Sequence, residues 1–257
     1  MRRREFVAQA LGGAFGAAAM FSGARPQPAF AMGEEAELDV GEIQLSSGTV
    51  SRPQAWTRLL FEMVQTTAVE TNPRVVQLAP DDPALFRHPF AVMVGNDALP
   101  PLSDAAAAQL GRYLAYGGFL FIDDASGVSD SPFDASVRQM IARIFPTRPL
   151  AVLPTDHSVY RSFFLLHEPM GRVAIHRVLE GVAQGSMNPL IYGRDDLSGA
   201  LDRDAGGRDL NPCTPGGEEQ RSEAMKLSIN LVMYALTSNY KHDQAHVKQL
   251  MDDGRLE

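Results

Sequence analysis

Phe90-Ala91-Val92-Met93-Val94-Gly95 and Phe119-Leu120-Phe121-Ile122-Asp123-Asp124 flank a helical stretch, and the three segments together decide the fold. Each run is continuously apolar rather than alternating, as a strand covered on both faces of a parallel sheet requires. Between them Ser103 is a helix N-cap, a hydroxyl placed to take a free backbone N–H of the first turn. The helix runs through Tyr116 and puts Ala106, Leu110, Tyr113 and Leu114 on one face. Gly117-Gly118 ends it, because glycine enters the left-handed conformation after a helix without steric cost. Strand, crossover helix and strand make a βαβ unit.

The alternation extends outward from this unit. Val40 to Leu45 alternates apolar and polar, predicting a half-buried strand. Pro53 opens a helix to Thr66 with Trp56, Leu59, Leu60, Met63 and Val64 inward. Arg74 to Ala79 reads as a strand, Phe133 to Phe145 as a helix and Pro149 to Leu153 as a short strand. Tyr160 to Leu166, Val178 to Ala183 and Pro189 to Gly193 read as further strands. Gly199 to Gly217 reads as a long loop, and Glu218 to Thr237 as a helix with Met225, Leu227, Ile229, Leu231, Val232 and Leu236 buried. The prediction is an α/β three-layer sandwich with a mostly parallel central sheet over 32–238, followed by a polar tail at 239–257.

The first residues carry an address. Arg3-Arg4-Glu5-Phe6-Val7 has the pattern of a twin-arginine export signal, followed by a weakly apolar run from Val7 to Phe21. Ala29-Phe30-Ala31 is a small-x-small cleavage signature, so 1–31 is expected to be removed. The apolar run is shorter than the roughly 20 residues that span a bilayer, which argues against a membrane anchor. The expected location is periplasmic or secreted, after passage through the twin-arginine translocase. The formal net charge is −8, and the leader holds Arg2, Arg3, Arg4 and Arg25 against Glu5 alone, so the mature chain is more acidic still. Such a chain is a poor electrostatic match to nucleic acid. Cys213 is the only cysteine, which excludes an intrachain disulfide and a thiolate zinc site.

The polar candidates gather where strands end. Asp123 and Asp124 leave a central strand at its carboxyl end, where open parallel sheets bind ligands; Asn96 and Asp97 leave the preceding strand at the same edge, and Ser126 follows two residues after Asp124. Two readings of Asp124 stand side by side: a ligand contact, or a cap on its own Asp-Ala-Ser-Gly loop. Asp195-Asp196 reaches the same edge if the Pro189 to Gly193 strand is parallel. His157 is a candidate base oriented by Asp156, against the simpler reading of a structural histidine beside a capping Asp156. Asp202 to Gly207 resembles the start of a calcium loop, but Cys213 stands where that template needs a bidentate Glu. His242 and His246 share a helix face without a third metal ligand in view. Gly12-Gly13 to Gly16 mimics a dinucleotide glycine cluster, yet it lies in the leader with no strand before it. No cofactor or metal is expected.

Several segments carry a resemblance. Phe86-Arg87-His88-Pro89-Phe90, the Gly117-Gly118 to Asp123-Asp124 block, Leu153-Pro154-x-Asp156-His157-x-x-Tyr160, Tyr192 through Asp196-Leu197-Ser198-Gly199-Ala200, and Leu227 to Thr237 resemble the bacterial family catalogued as domain of unknown function 4159. The resemblance covers most of 38–238. It implies a flavodoxin-like fold similar to class I glutamine amidotransferases and trehalose-utilisation-type proteins. It also implies partners among von Willebrand A-domain proteins and MoxR-type ATPases in the cell envelope. It brings no established activity. Glutamine hydrolysis needs a Cys nucleophile on a tight strand-to-helix turn with a His nearby. Cys213 lies instead in Asn211-Pro212-Cys213-Thr214-Pro215, so that reaction is excluded. The expectation is an exported, non-catalytic domain that binds a partner or small polar ligand. The alternative is an extracytoplasmic hydrolase using Asp124 with His157 or Asp196.

Overall fold

The computed structural model describes residues 37–252. Arg3, Arg4, Phe6, Ala29 and Ala31, the whole leader, and the side chains of His242 and His246 lie outside what is described. The chain folds as mixed α/β around a seven-stranded, mostly parallel sheet. In chain order the strands are β1 (Leu38–Ile43), β2 (Thr71–Leu78), β3 (Phe90–Gly95), β4 (Phe119–Asp124), β5 (Leu150–Val152), β6 (Leu179–Gln184) and β7 (Met187–Gly193). The helices are α1 (Pro53–Thr66), α2 (Asp104–Ala115), α3 (Pro132–Ile144), α4 (Leu197–Leu201) and α5 (Gly217–Asp252). Across the sheet the order is β2-β1-β3-β4-β7-β6-β5. β1, β2, β3, β4 and β7 run parallel, while β6 is antiparallel to both β7 and β5.

Two apolar clusters form from alternate residues of the same strands. Phe90, Val92, Val94, Phe119, Phe121 and Ile191 join Trp56, Leu59 and Leu60 of α1 and Leu227 and Leu231 of α5 on one face. Ala91, Met93, Leu120, Ile122 and Tyr192 join Leu110, Tyr113, Val137 and Ile141 of α2 and α3 on the other. Covered on both faces, β3 and β4 are buried along their whole length, which is why their sequences do not alternate.

Local signals end the elements as their chemistry predicts. Ser103 accepts the Ala106 N–H at 3.1 Å, and Ser131 caps α3 by accepting the Asp134 N–H at 3.0 Å. Gly117 takes φ 96° after α2, and the Gly118 N–H returns to the Tyr113 carbonyl at 2.9 Å. A Cβ on Gly118 would enter the Tyr113 ring, whose hydroxyl bonds the carbonyls of His88 and Phe119.

Five expectations are corrected. β1 is buried along its whole length rather than half-buried, because it lies between β2 and β3 and feeds both apolar clusters, Val40 on one face and Ile43 on the other. Tyr160 to Leu166 is not a strand but a 3-10 turn (Ser158–Arg161) running into bends. The reason is Asn230 of α5, whose Oδ1 accepts the N–H groups of Phe163 and Phe164 and whose Nδ2 donates to the Phe164 carbonyl. One side chain thus replaces a ladder. The Gly199 to Gly217 loop begins inside helix α4. Val64 is exposed, because its position on α1 has turned past the sheet. His157, not Asp156, caps the turn that follows, its Nδ1 accepting the Val159 N–H at 3.2 Å, while Asp156 is exposed.

Candidate functional site

β7 is parallel to β4, so Asp195-Asp196 arrives at the same edge as Asp123-Asp124, and the Asp196 N–H donates to the Asp124 carbonyl at 3.1 Å. Successive residues at a strand end point to opposite faces. Asp123 turns toward α4 and accepts the N–H groups of Leu197 at 2.8 Å and Ser198 at 2.7 Å. Asp124 turns toward α3, accepting the Ser126 N–H at 2.9 Å and the Ser131 hydroxyl at 2.5 Å. Both are buried. The loop-capping geometry of Asp124 is therefore present, with Ser126 supplying one of its donors.

Asp196 caps α4 from a left-handed conformation, φ 54°, accepting the Gly199 N–H at 3.1 Å. Its two oxygens meet the Arg52 guanidinium at 2.5 Å and the Arg172 Nε. Arg52 enters from the start of α1, where Glu42 of β1 accepts its backbone N–H at 2.8 Å. Asp195 gathers three successive N–H groups, from Ile175 at 3.2 Å, His176 at 2.9 Å and Arg177 at 2.7 Å. The convergence is made possible by Arg177, held at φ 52°. These bonds fix the 167–178 segment as a strap across the carboxyl edge. Gln220 of α5 holds it from behind, donating to the carbonyls of Gly171 and Arg172 at 2.7 and 3.0 Å. Arg52, Arg172, His176 and Gln220 are partners that sequence reasoning missed, for nothing local to them marks the pairing.

Between the strap and the sheet lies a shallow recess of about 10 Å³, room for about one water, that opens to solvent. Met170, Gly171, Phe121, Leu197 and Leu227 line it together with Asp123. Burial, reinforced by the nearby Asp196 charge, pushes the Asp123 carboxyl up to about 6. A recess of about 20 Å³ sits at the opposite edge, around Leu114, Gly118 and Asn188, and among the described residues no charged side chain lines it. The topological switch point lies between β1 and β3, where the chain itself crosses. Val50 N–H bonds the Val94 carbonyl at 2.9 Å, and Asn96 N–H bonds the Gly48 carbonyl at 3.1 Å. Asn96 and Asp97 are exposed there, apart from the strap.

His157 stands at the other end of the sheet. Its Nε2 is 3.0 Å from Asn188 Oδ1, near the start of β7, and desolvation lowers its pKa. The structure does not bring it to Asp124 or Asp196. Cys213 is buried among core side chains, and burial pushes its thiol up, away from the thiolate form. Asp204 of the calcium-like loop is occupied by the N–H groups of Gly206 and Arg208 and by the Arg208 guanidinium. Among the described residues no group of three His, Cys, Asp or Glu is placed to hold a metal ion, and no helix is long and apolar enough to cross a membrane.

Residues 39–236 match the family described as a domain of unknown function (DUF4159). No curated protein matches the chain. The matched span runs from β1 through most of α5 and contains all four edge carboxylates, the strap and the recess, and on that match the chain belongs to the DUF4159 family.

Proposed function

We propose that this domain is a non-catalytic binding module of the cell envelope, taking a partner or small polar ligand at the carboxyl edge beside Asp123. The observation that carries this reading is the engagement of Asp123, Asp124, Asp195 and Asp196 by backbone N–H, hydroxyl and guanidinium donors. A general base needs an oxygen free to meet a substrate proton at about 2.6–3.2 Å. These carboxylates instead hold the walls of the recess in place. A three-layer, flavodoxin-like and amidotransferase-like sandwich is supported by the β2-β1-β3-β4-β7 order, which follows the 2-1-3-4-5 pattern. Export by the twin-arginine translocase rests on Arg3, Arg4 and Phe6, and cleavage on Ala29 and Ala31. Von Willebrand A-domain proteins and MoxR-type ATPases are the partner candidates, by resemblance alone.

A second reading, an extracytoplasmic hydrolase, is favoured by one feature. The Asp123 carboxyl, pushed up to about 6, stands beside the meeting point of Asp124 and Asp196, and perturbed acids gather at catalytic sites. A melting screen against polar small molecules separates the two, run beside a pull-down from envelope extracts. A bound ligand at about a hundredfold excess over its Kd stabilises by about 2.7 kcal/mol, and Met170→Trp, which fills the recess, abolishes the shift. Turnover of an ester or amide substrate that disappears in Asp124→Asn would replace the binding reading with the hydrolase.

A further inference from the structure

His176 sits on the strap with its side chain 12% exposed, and both of its ring nitrogens face acceptors. Nδ1 is 3.2 Å from Asp195 Oδ1, and Nε2 is 3.1 Å from the backbone carbonyl of Ser129. A carbonyl oxygen has no proton to give, and the Asp195 carboxylate already accepts three backbone N–H groups. Neutral imidazole has one N–H and one lone pair, so it satisfies one of these contacts and turns a lone pair on the other. Only the imidazolium donates to both. Ser129 belongs to the loop between β4 and α3 that Asp124 caps, so this ring is a bridge between that loop and the strap.

We propose that His176 is a proton-operated latch. Doubly protonated, it ties the 167–178 strap to the 125–131 loop; loss of one proton breaks one tie and loosens the strap that walls the recess beside Asp123. As a control on the binding site the latch rests on the binding reading above, although the proton-dependent motion stands without a ligand. The charged groups of the neighbouring segments are few. Asp195, just past the end of β7, faces Nδ1. On the strap, Arg172 is held on Asp196, and Arg177 lies 3.5 Å from Glu168. On the loop, Asp130 accepts the Ser129 hydroxyl at 3.3 Å. Arg194, beside Asp195, turns to Glu180 at 3.5 Å. The direction follows from the two acceptors: the strap is closed while the ring holds both protons and loosens as rising pH removes one.

The test is amide hydrogen exchange of the protein without ligand, from about pH 5 to about pH 8, the interval in which imidazole titrates. Rates are corrected for the intrinsic pH dependence of exchange. Protection at Ile175, His176 and Arg177 is expected to fall about tenfold more than protection of β3 and β4 across that interval, as loss of one charge-assisted hydrogen bond implies; the fall shared with β3 and β4 belongs to Asp123. In His176→Gln the strap amides are expected to show no such pH dependence. Ring ¹⁵N shifts of the wild-type protein report the latch directly, with both nitrogens protonated wherever the strap is closed. A neutral ring under closed-strap conditions, or an equal pH response in His176→Gln, overturns the proposal. Failure of every ligand in the melting screen, with the exchange response intact, would count against the binding reading and leave the latch standing.

Discussion

Asp123→Asn tests whether the carboxyl at the heart of the edge is held protonated by the fold. Its unfolded-state pKa is about 3.9, and in the native protein burial and the Asp196 charge push it up to about 6. A raised acid binds its proton more tightly when folded. Its stabilising contribution is therefore complete below about pH 4 and is lost as pH rises through about 6. Two pKa units correspond to about 3 kcal/mol. The amide does not titrate in this range. It keeps one acceptor for the N–H groups of Leu197 and Ser198 and turns its own N–H₂ on the other, a penalty of about 1–3 kcal/mol at any pH. The stability gap between wild type and variant should therefore close by about 3 kcal/mol from about pH 4 to about pH 7. Differences between the two proteins remove the contribution of every other titrating group. Urea unfolding at a series of pH values measures the gap. Calorimetry should show the same trend as roughly 6–12 °C in relative melting temperature for a domain of this size. Parallel stability curves would refute the reasoning, showing that Asp123 ionises in the folded protein as it does in the unfolded chain.

Asp124→Asn removes one of two charge-assisted caps, so it should cost about 1–2 kcal/mol and lower melting by roughly 2–8 °C. Normal melting with a lost complementation phenotype would instead mark Asp124 as a ligand contact. Cys213→Ser places a hydroxyl among core side chains and should cost about 1–3 kcal/mol while leaving the fold and any phenotype intact. The native thiol should react with a disulfide reagent only as the protein opens; rapid labelling of folded protein would contradict its burial. Replacing Arg3 and Arg4 with Lys should leave unprocessed protein in the cytosol, because a point-charge ammonium does not reproduce a planar guanidinium. Normal periplasmic yield of that variant, read by fractionation, would remove the export assignment.

Much of the scaffold was legible because its signals are local. The span of α1 follows from Pro53 and an apolar stripe, and β3 from an unbroken run of core residues. Gly117 marks the end of α2 because its backbone must take a left-handed turn. The failures share a cause. Tyr160 to Leu166 has the composition of a strand, but its backbone groups are claimed by Asn230, a residue on a helix that the local window does not contain. Likewise Leu197 to Leu201 looks like loop until Asp123 supplies the acceptors that hold its first turn.

The sequence by itself determined that acids would leave β4 and β7 at their carboxyl ends, because strand ends follow from hydropathy within a few residues. Only the tertiary structure decided what those acids do. Arg52 and Asp196 are separated by 144 positions, and Asp195 meets the strap only because β7 lies parallel to β4 while β6 folds back against it. A hydrogen bond or ion pair acts over about 3 Å, so its partner is set by which chain segments the packed core brings to one edge. No periodicity along the chain records that distance.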